Sequence, residues 1–175
     1  MRRAAFLDRD GVLNRALLNA GRPYPPTNFS ELEILPGVSR ALERLRDAGY
    51  LSIVVTNQPD VARGTTTRSA VKAINAHLRQ QLALDGFYVC WHDDSAACQC
   101  RKPQPGLILQ AARDSNVDLA ASFMIGDRWR DVEAGQRAGC QTVWINRHYD
   151  ERVPLNADYE TDGLPSAVDW IMGFN

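Results

Sequence analysis

The stretch FLDRDGVLN (residues 6–14) sets two aspartates, Asp8 and Asp10, on either side of one arginine, just behind a short apolar run. Carboxylates this close repel and raise each other's pKa. The pair therefore points to a cation between them, or to a carboxylate that does chemistry. Thr56 and Asn57, then Arg101 and Lys102, then Asp127 and Asp131 follow further along the chain. Carboxylates gathered at one place make an oxygen-rich site that suits Mg²⁺. Lys102 adds a fixed positive charge, and the Thr56 hydroxyl with nearby backbone N–H groups can complete an anion cradle. Such a set describes a site for a phosphoryl group, whose transfer rests on positioning and charge stabilisation. Asp8 fits the nucleophile, forming an aspartyl-phosphate. Asp10 fits the acid that protonates the leaving oxygen and later activates water. Asp8 ends the apolar run and can be held rigidly, whereas Asp10 can swing over the leaving group. Arg9 is expected to point away, towards packing or solvent.

Alternating elements must position these groups. AAFL (4–7), LSIVVTN (51–57), GFYVCW (86–91), ASFMIGD (121–127) and QTVWIN (141–146) read as strands. Helices are expected from Pro36 to Gly49, over 67–84, through Leu107–Ala112, over 129–138 and over 165–172, from apolar residues at helical spacing. Residues 15–36, rich in Pro and turn formers, read as an excursion with a short strand near Glu33–Leu35. A second short strand is expected near Asp158–Glu160. Strands alternating with helices imply an α/β fold, a Rossmann-like parallel sheet with helices on both faces, formed as one domain over 1–175. In such sheets ligands bind beyond the carboxyl ends of the strands. Taken singly, each motif is an ordinary turn or cap; together they fall after successive strands, at one rim.

Net charge is -1, which leaves no general basic surface and argues against a nucleic-acid partner. No apolar stretch approaches a membrane span. The N-terminal apolar run stops at Asp8, too early for a signal peptide, so a cytoplasmic, monomeric protein is expected. Cys90, His92, Cys98 and Cys100 form C-x-H-x5-C-x-C in the loop CWHDDSAACQC. Three thiolates and an imidazole suit tetrahedral, structural Zn²⁺. The alternative is three reduced thiols beside a surface histidine; a Cys98–Cys100 disulfide does not suit a reducing compartment. Cys100 directly precedes Arg101 and Lys102, so a metal there would steady both cations. Cys140, Trp91 and Trp144 are expected in packing, and His77 and His148 at the surface.

FLDRDGVLN, VVTNQ, CRKPQPG and MIGDRWRDVEAG together resemble the four motifs of the haloacid dehalogenase (HAD) superfamily of phosphatases, over residues 4–146. TNQPDVARG (56–64) and the Cys/His loop leading into CRKP look like the heptose bisphosphate phosphatases and the related histidinol-phosphate phosphatases. The resemblance implies a HAD-like sheet without a large cap domain. It makes Asp8 the nucleophile and Asp10 the acid/base, has Thr56 and Asn57 hold the phosphoryl oxygens, and lets Lys102 stabilise them. It gives Mg²⁺ to Asp8, Asp127 and the backbone carbonyl of Asp10, with Asp131 behind them, and Zn²⁺ to the cysteine loop. Arg63, Gly64, Arg101 and Arg128 would contact the rest of a small sugar phosphate, a heptose 1,7-bisphosphate losing its 7-phosphate. Histidinol phosphate is the alternative substrate. A polynucleotide 3′-phosphatase shares the TNQ and RKP motifs, but the charge balance opposes it. A non-catalytic, zinc-stabilised binding module would need a catalytic group to be missing, and none is. RALLNAGRPYPPTNFSELEIL departs from the heptose phosphatase pattern, and TNQPD replaces the commoner TNQSG, which brings Pro59 and Asp60 to the pocket rim.

Overall fold

The computed structural model of the chain describes residues 1–173. Its elements run β1 (Arg3–Leu7), β2 (Leu17–Asn19), β3 (Arg22–Tyr24), α1 (Val38–Asp47), β4 (Tyr50–Asn57), α2 (Arg68–Gln81) and β5 (Gly86–Cys90). They continue with α3 (Gly106–Ser115), β6 (Phe123–Gly126), α4 (Trp129–Ala138), β7 (Gln141–Ile145), β8 (Tyr159–Thr161) and α5 (Leu164–Met172). Six strands form one sheet in the order β5-β4-β1-β6-β7-β8. Every neighbouring pair in it is parallel; helices make the connections except from β7 to β8, which an irregular segment joins.

Side-chain alternation along β1 builds two cores. Ala5 and Leu7 join the cluster that takes Leu42 and Leu45 of α1, Ile74 and Leu78 of α2, and Val168 and Ile171 of α5. Ala4 and Phe6 face the other way, into Leu107, Ile108 and Ala111 of α3 and Ala134 of α4. Strands buried on both faces read as unbroken apolar runs, which is why β1 and β4 were visible in the sequence. The order reverses at β1, with β4 on one side and β6 on the other. A crevice opens at such a switch point beyond the carboxyl ends of the strands.

The structure departs from the sequence reading in the excursion. β2 and β3 form an antiparallel hairpin there. Its two-residue turn places Ala20 and Gly21 at φ +48° and +74°, the double-positive geometry of a type I′ turn, in which Asn-Gly is the usual pair. An alanine at the first position hid that signal. The strand expected near Glu33–Leu35 reduces to one antiparallel bridge between Asn14 and Ile34. The short strand near residue 159 is present and becomes the sixth strand, paired with β7. Among the described residues, no helix is long and apolar enough to cross a membrane.

Candidate active site

Asp8 is the first residue beyond β1. Its backbone N–H donates to the Ile125 carbonyl at 3.0 Å, which extends the β1–β6 ladder by one bond and sets the carboxylate at the switch point. Lys102 reaches the same spot, with Nζ 2.8 Å from Asp8 Oδ1, 2.7 Å from the Val55 carbonyl and 2.6 Å from Asp131 Oδ1. These three acceptors match the three protons of an ammonium group. Asn57 secures the backbone beneath that lysine, donating to the Lys102 carbonyl and accepting from its N–H, both at 3.1 Å. Asp8, Asp127 and Asp131 each bring a carboxylate oxygen to within 4.8 Å of the others. Gly11 makes room for this cluster: an added Cβ would stand 1.8 Å from Asp127 Oδ2, and its φ of +87° already favours glycine.

Burial and like charge dominate the electrostatics. Burial pushes the Asp8 carboxyl up to about 6, with Lys102 pulling it back and Asp131 and Asp10 pushing it further. Asp127 is raised well above the usual carboxylate range by burial, Asp8 and Asp131, and the Tyr149 hydroxyl opposes the shift. Burial works against the Lys102 charge, but Asp131 and Asp8 outweigh it and hold the ammonium above its ordinary value. Asp127 Oδ2 accepts from Tyr149 at 2.7 Å, and its carbonyl accepts from Trp144 Nε1 at 3.1 Å. Asp127 Oδ1 is buried with no hydrogen-bond partner among the described residues. A buried orphan oxygen beside two further carboxylates is what a divalent cation with oxygen ligands would satisfy, so these residues fit Mg²⁺. Asp131, expected behind the ion, lies inside the cluster as the second counter-ion of Lys102. Its other oxygen accepts the Arg128 N–H at 2.9 Å and closes the first turn of α4.

Asp10 is held rather than free. Arg9 Nε and Nη2 donate to its carboxylate at 3.0–3.1 Å, Asn14 Nδ2 at 3.0 Å and Gln58 Nε2 at 2.9 Å. Arg9, expected towards packing or solvent, is wholly buried. Its guanidinium turns back to Asp10 on one side and donates to Asn75 Oδ1 at 2.9 Å on the other. Sequence reasoning missed Arg9, Asn14, Gln58, Asn75 and Tyr149. One signal was available: Asn75 stands between Ile74 and Leu78 on the buried stripe of α2, where a polar side chain needs a partner.

Thr56 is buried, and its hydroxyl accepts from Gln58 Nε2 at 3.0 Å. A cavity of about 300 Å³, within the range of small-molecule sites, opens at Asp8 and Asp10, and Thr56 and Asp127 lie behind its lining. Of the candidate contacts, Asp8, Asp10, Asn57, Arg63, Arg101, Lys102 and Arg128 line it, joined by the unforeseen Arg22, Tyr24 and Arg130. Gly64 is exposed at φ +76° with open space around it and does not line the cavity. Arg128 is forked onto Glu151 through both carboxylate oxygens.

Cys90, His92, Cys98 and Cys100 converge at the neighbouring loop. The sulfurs are 3.0–3.8 Å apart, and His92 Nδ1 lies 3.5 Å from Cys90 Sγ and 3.3 Å from Cys100 Sγ. Tetrahedral zinc with bonds of about 2.3 Å separates its sulfur ligands by about 3.8 Å, so this donor set fits the ion. Gly106 lets α3 begin against the loop, since a Cβ there would meet the Gln99 carbonyl at 2.1 Å. Cys140 is buried, as expected, and His148 is exposed.

A parallel sheet that carries Asp-x-Asp after a central strand, Thr-Asn at the end of the neighbouring one, and a lysine and a further aspartate at the same rim defines a phosphatase of the HAD-like class. The sequence pattern of the HAD-hydrolase-like family matches residues 99–166. D-glycero-beta-D-manno-heptose-1,7-bisphosphate 7-phosphatase from Yersinia pestis is 35% identical over 97% of this chain and 89% of its own length. The enzyme of that name from Haemophilus ducreyi is 37% identical over 83% and 84%. The crystal structure of D,D-heptose 1,7-bisphosphate phosphatase from B. bronchiseptica, complexed with magnesium and phosphate, superposes with a TM-score of 0.86. That chain is 28% identical, and 99% of each chain is covered. The chain belongs to the HAD-like hydrolases, in the family of the heptose-1,7-bisphosphate 7-phosphatases.

Proposed function

We propose that this chain hydrolyses the 7-phosphate of D-glycero-D-manno-heptose 1,7-bisphosphate, through an aspartyl-phosphate on Asp8. Asp8 attacks phosphorus in line, and the bond from phosphorus to the sugar oxygen breaks while Asp10 gives that oxygen a proton. Asp10 then takes a proton from water, which attacks the aspartyl-phosphate and releases inorganic phosphate. Lys102 keeps Asp8 ionised and lies beside the phosphoryl oxygens, with Thr56 and the loop steadied by Asn57 completing the cradle. Mg²⁺ held by Asp8, Asp127 and the Asp10 carbonyl would neutralise charge on the phosphoryl group and offset the repulsion among the carboxylates. Zn²⁺ on the cysteine loop would fix Arg101 and Lys102, and a cytoplasmic setting keeps its thiols reduced.

One observation carries the reading. Lys102 joins Asp8 and Asp131 beside the unpartnered oxygen of Asp127, under a cavity walled by five arginines: Arg22, Arg63, Arg101, Arg128 and Arg130. Those cations suit a substrate with a second phosphate and oppose the cationic histidinol phosphate, although Asp60, Asp94 and Glu151 also line the cavity and pair with four of the five arginines. Phosphate release from the heptose bisphosphate should depend on Mg²⁺ and exceed release from histidinol phosphate. Asp8→Asn should lower it by at least about 10³-fold. Unchanged release by Asp8→Asn, or preference for histidinol phosphate, would overturn the assignment.

A further inference from the structure

Three of the cavity's arginines converge on a single carboxylate. Asp94 Oδ1 accepts from Arg101 Nη2 and pairs with Arg130 Nη1, both at 3.0 Å, and Oδ2 accepts from Arg63 Nη2 at 3.2 Å. Asp94 sits between His92 and Cys98 on the cysteine loop, with its side chain 52% exposed. Each arginine also has an anchor that does not involve Asp94. Arg101 donates to the His92 carbonyl at 3.2 Å, Arg130 lies over the Trp129 ring at 4.8 Å, and Arg63 pairs with Asp60 at 3.4 Å. If Asp94 swings into solvent, the three guanidinium groups keep their supports and face the cavity without the carboxylate they share. A phosphate offers them more acceptor oxygens than one carboxylate does.

From this geometry, and resting on the bisphosphate reading above, we infer that Asp94 is a specificity-determining residue. It is the chain's own stand-in for the substrate's second phosphate, which displaces it on binding. The reacting phosphate sits at Asp8 and Lys102, so Asp94 acts on affinity for the distal group and leaves the chemical step alone.

The test is steady-state kinetics of the wild type and Asp94→Asn on heptose 1,7-bisphosphate and heptose 7-phosphate, with zinc content checked in both proteins. The variant removes the charge from three pairs that share one half-exposed carboxylate, so its KM for the bisphosphate should fall about tenfold. Its kcat should hold, and both constants for the monophosphate should stay within twofold. A raised or unchanged bisphosphate KM, or an equal change with both esters, would overturn the inference and leave the phosphatase assignment standing. A wild type that gains nothing from the second phosphate would remove the bisphosphate reading, and this inference with it.

Discussion

Replacing Gly11 with alanine tests whether the space behind the two aspartates is part of the catalytic apparatus. The new Cβ would lie 1.8 Å from Asp127 Oδ2, 2.6 Å from its Cγ and 2.8 Å from the Tyr149 hydroxyl. Carbon does not approach oxygen that closely, so the Asp127 carboxylate has to retreat by about 1 Å. Two costs add. Holding an alanine at φ +87° costs about 1–2 kcal/mol. Pulling Asp127 off Tyr149 costs about 1–3 kcal/mol more, because the bond is charge-assisted and half-buried. Gly139→Ala separates the two costs. Gly139 has φ +84° and nothing within 4 Å of its would-be Cβ, so alanine there meets the backbone term alone. Urea denaturation should find Gly11→Ala less stable than the wild type by about 2–5 kcal/mol and Gly139→Ala by about 1–2 kcal/mol. A displacement of this size at a reacting centre costs about 10²-fold in turnover. Gly11→Ala should therefore lose about that much kcat and bind Mg²⁺ more weakly by calorimetry, while Gly139→Ala keeps wild-type kinetics. If Gly11→Ala retains kcat within threefold and matches Gly139→Ala in stability, Asp127 is not confined as described.

Two further outcomes follow from the electrostatics and the cysteine loop. Asp8 has a pKa of about 6 in the folded chain against an ordinary 3.8, so between these values the folded state binds the extra proton. Its contribution is complete below about pH 4 and is lost as pH rises through 6, a change of about 3 kcal/mol. In metal-free protein, Asp8→Asn should gain stability over the wild type by about that amount between pH 4 and pH 7, and a flat difference would refute the burial argument. Cys98→Ser with Cys100→Ser should remove bound zinc, loosen Arg101 and Lys102 and lower kcat by about tenfold or more; full turnover in protein verified zinc-free by elemental analysis would show that the loop does not support Lys102.

The sheet was legible because its central strands are buried on both faces and leave unbroken apolar runs in LSIVVTN and AAFL. The site was legible in part for the same reason. Asp8, Asn57 and Asp127 are strand-end residues, so reading the strands located them, and the spacing of Cys90, His92, Cys98 and Cys100 stayed visible because the last residue of β5 and the loop after it carry all four. Contacts between distant segments left weaker traces. Tyr149 meets Asp127 across 22 residues, and Gln58 meets Asp10 across 48; neither pairing has a periodicity to betray it. Arg22 reaches the cavity on a hairpin whose turn carries alanine where asparagine is usual. Asp94 looked like one acid among several in a polar loop, and its meaning lies in three arginines, one at the end of that loop and two from distant segments.

The same distinction settles why a chain can keep Asp8 and Asp10 two residues apart. Their repulsion is real, since Asp10 is among the groups that raise Asp8. Each carboxylate, however, has its own cation. Lys102 arrives from the loop after β5 to serve Asp8, and Arg9, the residue between the two, folds back to serve Asp10. A fully buried arginine needs partners for its guanidinium or it costs several kcal/mol. Asp10 and Asn75 supply them, which fixes the Asp10 carboxylate on Arg9 rather than on Lys102. On the mechanism proposed above, DRD would supply a nucleophile, a counter-ion and an acid/base in sequence. The arginine divides the pair electrostatically, so that Asp8 answers to Lys102 and the metal cluster while Asp10 can lose or take a proton without first competing for the same cation.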